Sequence, residues 1–334
     1  MPANTIALLG TKYHEWVKAH PNAAEEVKDA LEDLLQDAGV NFDGVDVRVK
    51  TWNSLKAKAR KRRPDGSLSY PNPWTDIHDV VGARVTVLHS TEIPVVLEII
   101  SNSFNVKRSV DKALETKVSG GFGYGSHHLI VQVTEDSDGL EDFIGLEFEI
   151  QVRTVLQHAW AEFEHDIRYK RGTNELDPQV DRSFTLAAGL IELADQQFDQ
   201  IAALQDPEQF RVDESEIQLS EETLPGILAM LVGTRFPRSR SEHYRWLTEL
   251  LHSNGVTTVQ ELSELLNDAD IEAVSKAMKY RFNPGQVRII DDLLLNRFGE
   301  DHIKRIGKSG NRSEQRKARL KKRLKLLRGA SSAD

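Results

Sequence analysis

The segment Leu146–Lys170, LEFEIQVRTVLQHAWAEFEHDIRYK, changes its periodicity halfway along. Apolar and polar residues alternate from Leu146 to Arg153, which is the pattern of a β-strand with one buried face. From Leu156 onward the apolar residues recur at helical spacing. An acid-bearing strand that leads into an aromatic-rich helix indicates the wall of an active-site cleft; taken alone, the segment fits an edge strand with solvated charges equally well. The polar side of the strand carries Glu147, Glu149, Gln151 and Arg153.

Length and composition set the class of protein. The chain has 334 residues, enough for one large domain or two ordinary ones. It has no cysteine, which excludes disulfides and thiolate metal sites and favours a reducing cytoplasm. The N-terminus lacks a secretory pattern, and no apolar run approaches the roughly 20 residues that a membrane span requires. We therefore expect a cytoplasmic protein that has no membrane partner.

Positive charge is concentrated near the C-terminus. Twelve Lys or Arg against one Glu give the segment from Lys304 to Arg328 a net charge of +11, so the remainder of a chain whose total is −9 carries −20. A basic tail of this kind fits contact with RNA or the ribosome. The alternative is a solvated terminal helix that docks on another helix through Leu320, Leu324 and Leu327, which recur at helical spacing.

The chain divides into four segments by pattern. Residues 1–205 combine N-terminal helices with interleaved strands and helices, which indicates an α+β domain on a mixed sheet. Residues 206–221 form an acidic linker, 222–300 a helical domain without a strand pattern, and 301–334 the basic tail. Oligomerisation, regulation and plain packing are the alternatives for the role of the helical domain.

Four strands are predicted in the first domain. They lie at about 45–49, 80–88, 128–133 and 146–153. We assign no strand to residues 107–124, which are polar and become glycine-rich towards their end.

A basic stretch follows the first predicted strand. It runs from Arg48 to Arg63 and contains eight cations and no acid. A solvated helix usually mixes both signs of charge, so uncompensated cations imply an anionic partner. Polyphosphate is the simpler interpretation and nucleic acid the alternative. The chain has no phosphate-binding loop of the GxxxxGK[ST] type and no protein-kinase signature.

Two further segments carry candidate ligand-binding residues. In DIHDVVGARVTVL, residues 76–88, Asp79 stands at the start of a predicted strand, where it could bind magnesium or simply cap a turn. In GGFGYGSHHLIVQV, residues 120–133, Tyr124 lies in a glycine-rich loop and could stack on a base. His128 begins the following strand.

These motifs together resemble the synthetase domain of the RelA/SpoT alarmone synthetases. The matching patterns are RVKxxxSxxxK, DxxGxRV, GYxSxH, EIQVRT and HAWAxxEHxxxYK, in that order, across roughly Asp46 to Arg171. The resemblance implies transfer of the β,γ-pyrophosphate of ATP to the ribose 3′-hydroxyl of GDP or GTP. It also implies a mixed five-stranded sheet flanked by helices, in the nucleotidyltransferase-like style. Since only about 45 residues precede the first motif, we expect a small, synthesis-only member without a hydrolase domain.

The resemblance assigns roles on the ATP side of the site. Arg48 and Arg84 would sandwich the adenine ring, and Lys50 and Lys58 would hold the phosphates. Asp79 would be a Mg²⁺ ligand.

On the acceptor side, Glu149 would bind Mg²⁺ or activate the 3′-hydroxyl. Tyr124 would stack on guanine, with His128 and Gln151 beside it. On the residues alone, the strand places Glu149 near Arg153, which we expect to keep it ionised.

Two positions depart from the family pattern. The family usually has a lysine four residues before the stacking tyrosine, where this chain has Gly120, so Lys117 or Lys112 would take its place. His158 stands where many small synthetases have asparagine. The acceptors GMP, GDP and GTP are therefore not ranked. A relative that modifies the 3′ end of tRNA, and a degenerate module that only binds nucleotide or RNA, stay open as alternatives.

Overall fold

The computed structural model describes residues 3–112, 125–171, 178–204, 218–306 and 313–331. They form two compact units, one made of residues 1–33 and 42–204 and the other of residues 34–41 and 205–334. None of the helices in these ranges is long and apolar enough to cross a bilayer.

The first unit is built on one five-stranded mixed sheet. The strand order is β1-β2-β5-β4-β3. The central pair, β2 and β5, is parallel, and the other three pairs are antiparallel. This confirms the predicted fold class. The strands are β1 Phe42–Val49, β2 Val81–Val87, β3 Asn105–Asp111, β4 His127–Gln132 and β5 Glu147–Thr154.

Helices flank the sheet. They are α1 Ala3–Ala19, α2 Ala23–Asp37, α3 Trp52–Ala59, α4 Pro73–Asp76, α5 Glu92–Ser103, α6 Val155–Arg171 and α7 Pro178–Leu204. Short 3₁₀ turns lie at His78–Val80 and Glu141–Phe143.

The two faces of the sheet differ in chemistry. Val85 on β2, Ile150 on β5 and Leu129 on β4 occupy neighbouring register positions and are almost completely buried. Because side chains alternate along a strand, the residues between them face the opposite side. That second face, called the polar face below, carries Arg84, Glu149 and their neighbours. The alternation in residues 146–153 predicted this division.

The sequence prediction missed one strand, β3. It lies at the edge of the sheet and pairs only with β4. Most of its side chains are exposed, including Lys107 and Arg108, so it has no regular apolar alternation. Exposed charges on an edge strand are a common means of preventing pairing with another chain. They also remove the apolar alternation by which a strand is predicted from sequence.

The predicted change from strand to helix falls at Thr154. Strand β5 ends there and α6 begins with Val155. Trp160 is buried against Phe184 of α7, with ring centroids 5.4 Å apart, and so belongs to the core. Phe163, although it fits the apolar spacing, is mostly exposed.

The second unit is helical, and its described residues include no β-strand, as predicted for 222–300. Its C-terminal helix buries Leu320, Leu324 and Leu327 in the core of the unit. The docked-helix alternative for the basic tail is therefore correct. The helices are α8 Leu224–Val232, α9 Ser241–Ser253, α10 Val259–Leu265, α11 Asp268–Met278, α12 Gln286–Phe298, α13 Glu300–Ile306 and α14 Ser313–Ser331.

On helix α14, arginines that point into the unit alternate with lysines that are exposed. Arg316 and Arg323 point inward, and each donates to the buried carboxylate of Asp291 on α12, at 2.9 and 3.1 Å. Lys317 and Lys321, by contrast, are exposed. Part of the positive charge of the tail therefore neutralises acids inside the unit, and contact of the exposed lysines with RNA or the ribosome stays a prediction.

Candidate active site

The polar face brings five of the predicted site residues together. Arg84 on β2 pairs in register with Gln151 on β5, which pairs with His128 on β4. In the adjacent row, Gly82 pairs with Glu149 on one side and Arg48 on the other. Residues in register, or two apart on one strand, share a face of the sheet. The five residues are Arg48, Arg84, His128, Glu149 and Gln151.

A second group forms where β1 leads into α3. Lys50 Nζ lies 3.0 Å and Lys58 Nζ 2.8 Å from the same oxygen, Oδ2 of Asp79. Burial opposes ionisation of Asp79, but the hydrogen bonds from the two lysines outweigh it, and the pKa of the carboxyl lies below its ordinary value. The cluster therefore holds two cations around one ionised acid.

Local structure fixes this cluster. The backbone N–H of Lys50 donates to the carbonyl of Val80 at 2.7 Å, which ties the end of β1 to the turn that carries Asp79. Thr51 then caps α3 by accepting from the N–H of Ser54. Since α3 begins directly after β1, Lys58 lies on its second turn and reaches back to the same acid.

Glu149 lies in a separate hydrogen-bond network. Its Oε1 is 3.0 Å from Nδ1 of His128, and its Oε2 accepts from Nε2 of Gln151 at 3.1 Å. On the far side of the imidazole, Ser126 Oγ lies 2.8 Å from Nε2. Burial raises the pKa of Glu149, yet the contacts with His128 and Gln151 outweigh it, and the pKa is lowered. Glu149 is thus held ionised in a fixed orientation.

The prediction that Arg153 keeps Glu149 ionised is wrong, because Arg153 contacts other residues. His128 and Gln151 perform that task. Arg153 Nη2 lies 2.5 Å from Nδ1 of His158 and 3.5 Å from Oε1 of Glu162. Burial and the nearby Arg84 lower the pKa of Arg153 to about 10. Although Arg153 is on the polar face, α6 covers that end of the strand, so the guanidinium is enclosed.

The carboxylates can accommodate a divalent cation. Asp79 Oδ1 is buried and makes no hydrogen bond within the described part of the chain, which is unusual for a charged oxygen. The negative charge of Asp79 opposes ionisation of Glu149, so the two carboxylates lie near each other. No set of three His, Asp or Glu converges among residues 3–112, 125–171 and the other described ranges. Two carboxylates completed by substrate phosphates and water are the usual protein contribution to a Mg²⁺ site.

Part of the predicted acceptor side lies outside the described residues. This holds for Tyr124, Lys117 and Gly120. Lys112 directly follows β3, and its backbone N–H donates to the carbonyl of Ser126 at 3.2 Å. Sequence reasoning gave no role to Ser126 or Glu162. Two features of the sequence could have indicated them. Ser126 lies inside the GYxSxH pattern, and Glu162 is one helical turn after His158.

The fold and site define an α+β domain in which acids and guanidiniums share the polar face of the sheet, with two lysines around Asp79 at the end of β1. Residues 47–174 match the family model described as "Region found in RelA / SpoT proteins". The part of the chain that carries Arg48, Asp79, Arg84 and Glu149 is therefore similar to this region of the RelA/SpoT proteins.

Two curated relatives come from Bacillus subtilis (strain 168). The GTP pyrophosphokinase YjbM is 28% identical over 171 residues, which cover 49% of this chain and 76% of the relative. The GTP pyrophosphokinase YwaC is 25% identical over 150 residues, covering 45% of this chain and 68% of the relative.

Solved structures of similar proteins include small alarmone synthetase 1 from Bacillus subtilis bound to its product pppGpp. That structure is 24% identical, covers 59% of this chain and all of its own chain, and superimposes with a TM-score of 0.47. A GTP pyrophosphokinase family protein from Streptococcus pneumoniae, also 24% identical, covers 59% of this chain and 98% of its own, with a TM-score of 0.46.

Proposed function

We propose that this chain is a GTP pyrophosphokinase that transfers the β,γ-pyrophosphate of ATP to the 3′-hydroxyl of GDP or GTP. The products would be ppGpp and pppGpp, the alarmones of the stringent response. The main support is the presence of two held acids: Asp79 between Lys50 and Lys58, and Glu149 between His128 and Gln151. A module that only bound nucleotide or RNA would have no need of both acids.

The donor half of the reaction needs charge neutralisation and alignment. The 3′-oxygen of the acceptor attacks the β-phosphorus of ATP, the bond from that phosphorus to the α,β-bridging oxygen breaks, and AMP leaves. Lys50 and Lys58 would neutralise the phosphates, and their present partner, Asp79, shows that both ammonium groups converge on one point. Arg48 and Arg84 would hold the adenine ring between their guanidiniums. Phosphoryl-type transfer depends mainly on such positioning.

The acceptor half needs a group that takes the proton of the 3′-hydroxyl. Glu149 is ionised and points along the polar face, and His128 and Gln151 hold both of its oxygens. It would accept the proton or orient the hydroxyl. Gln151 and His128 would also contact the acceptor nucleotide, with Tyr124 stacking on guanine and Lys117 near its phosphates.

Magnesium is the proposed cofactor, with Asp79 and Glu149 as its ligands. When bound, Mg²⁺ would neutralise developing charge on the transferred phosphates. Lys50 and Lys58, which contact Asp79, would then turn towards the substrate. A cytoplasmic location and a homo-oligomeric state stay predictions.

An acceptor panel tests the proposed function. The protein is incubated with γ-labelled ATP and magnesium and, in separate reactions, GMP, GDP, GTP or bulk tRNA. We expect label on GDP and GTP, with GMP as a further candidate. Label on tRNA alone would replace the proposal with tRNA modification, and absence of label on every acceptor would leave only a binding function.

A further inference from the structure

Glu162 on α6 contacts two guanidiniums of the polar face with a single oxygen. Its Oε1 lies 3.3 Å from Nη1 of Arg84 and 3.5 Å from Nη2 of Arg153. Arg84 and Arg153 lie on the neighbouring parallel strands β2 and β5. The helix therefore supplies one acid to two cations that the sheet brings together.

The two guanidiniums would otherwise repel each other. The side chain of Arg153 is only 5% exposed, and the proximity of Arg84 disfavours its charged form. Repulsion between like charges grows as solvent is removed, so an acid between them has a larger effect here than at an open surface. Glu162 is half-exposed itself, which makes its own desolvation small.

A second contact holds the arrangement in place. Arg153 Nη2 also lies 2.5 Å from Nδ1 of His158, one helical turn before Glu162. Because a guanidinium can only donate, this nitrogen of His158 must be the acceptor and carries no proton. The same nitrogen of Arg153 thereby contacts α6 at two residues, His158 and Glu162. Within the described part of the chain, Glu162 is the only ion-pair partner of Arg84.

We propose that Glu162 is a positioning residue for the donor nucleotide, acting by holding the Arg84 guanidinium in the orientation that stacks on adenine. The inference rests on the proposed function, since it takes Arg84 as an adenine contact. An arginine on a flexible stem must lose rotamer freedom to stack, and a partner that fixes it beforehand lowers that cost. Glu162 would therefore strengthen ATP binding without touching ATP or the reacting atoms.

The test compares Glu162→Ala, Glu162→Gln and Arg84→Ala in the full chain. We expect Glu162→Ala to raise KM for ATP about tenfold, with kcat and KM for the acceptor within about twofold of wild type. Glu162→Gln, which keeps an acceptor oxygen but not the charge, should give a smaller increase. Glu135→Gln, an exposed acid in the turn after β4, is the charge-matched control and should change nothing.

A double mutant distinguishes action through Arg84 from an independent effect. In the Arg84→Ala background, adding Glu162→Ala should raise KM for ATP by less than about twofold, because coupled residues are not additive. If the increases in KM for ATP of the two single mutants multiply in the double mutant, the proposal is overturned. An unchanged KM for ATP in Glu162→Ala, or a general loss of kcat with a lowered melting temperature, would also overturn it.

Binding of α,β-methylene-ATP, measured by calorimetry, separates this inference from the proposed function. If wild type transfers no pyrophosphate but binds the analogue about tenfold more tightly than Glu162→Ala, the function fails and the positioning role stands. If wild type is active and both proteins bind the analogue equally, the positioning role fails alone.

Discussion

Charged side chains converge in two regions of this chain. The two regions differ in how many hydrogen-bond partners the central carboxylate has. In the first unit, where β1 leads into α3, Asp79 shares one oxygen between Lys50 and Lys58, while its other oxygen is buried without a hydrogen bond to a described residue. In the second unit, Asp291 accepts from two arginines and lies 3.0 Å from Nε2 of His302.

The second cluster is closed to ligands. Asp291 and His302 are almost completely buried. Burial opposes ionisation of Asp291, but Arg316, His302 and Arg323 outweigh it and hold its pKa far below the ordinary range. A buried acid with both oxygens hydrogen-bonded, such as Asp291, acts on stability, whereas Asp79, with one oxygen unpartnered among the described residues, leaves capacity for a cation. The two regions differ less in the number of charges than in the number of hydrogen-bond partners that the carboxylate oxygens of Asp79 and Asp291 have.

Removing the acid of β5 should have the largest effect. We expect Glu149→Gln to lower kcat at least about a thousandfold, because the amide can neither accept the hydroxyl proton nor bind a cation as an anion. The melting temperature should not fall. The matched control is Glu147→Gln on the same strand, whose carboxylate pairs with His78 instead. Equal losses in both variants would mean that the polar face needs only its overall charge.

Removing the buried acid of the second unit should affect stability instead. Asp291→Ala leaves Arg316 and Arg323 without their shared carboxylate and should cost about 3–5 kcal/mol in the free energy of unfolding, measured with urea. Turnover per folded molecule should not change. Asp301→Ala breaks an exposed pair with Lys304 and should be neutral. Lost turnover in folded Asp291→Ala protein would contradict the division between the regions.

A change on the donor side should be intermediate in size. Lys58→Ala removes one of the two ammonium groups beside Asp79 and should raise KM for ATP about thirtyfold, with a smaller effect on the acceptor. Lys56→Ala, on the same helix but without a contact to Asp79, should stay within about twofold of wild type. Similar KM values in the two variants would show that α3 acts by general attraction of anions.

The smallest expected effect concerns the pH dependence of stability, at a buried acid of the first unit. Asp195 on α7 accepts from Thr154 Oγ1 at 2.8 Å, and burial together with Asp199 raises its pKa from 3.8 to about 7. A raised folded pKa contributes stability that is complete below the ordinary value and is lost as the pH rises through about 7.

The wild type should therefore lose stability relative to Asp195→Asn as the pH rises from about 5 to about 8, since the amide keeps the contact with Thr154 but does not ionise. Melting temperatures at both pH values measure this. A constant difference between wild type and variant would show that Asp195 keeps an ordinary pKa.

Much of the fold could be predicted because its central strands alternate strictly. The period-two pattern of residues 146–153 and the apolar strand at 80–88 correspond to β5 and β2, the parallel centre of the sheet. Edge strand β3 has no such pattern, since one face is solvated and the other only partly covered. The apolar alternation of a sequence reports buried strand faces, so it does not indicate a strand whose side chains are mostly exposed.

The candidate site could be predicted only in part for a related reason. Residues on one strand face, such as Glu149 and Gln151, follow from alternation. The partners of Arg153 do not, because Glu162 reaches it from a helix that folds back over the strand. A contact of this kind depends on how α6 crosses the sheet, which the sequence period does not specify.

The central claim is that the polar face transfers an intact pyrophosphate group. The direct measurement is to identify both products by phosphorus NMR after mixing the protein with ATP, GTP and magnesium. We predict AMP and a guanine nucleotide with a 3′-diphosphate in equal amounts, and neither in Glu149→Gln. Release of ADP, or of AMP without a modified guanine nucleotide, would contradict the account.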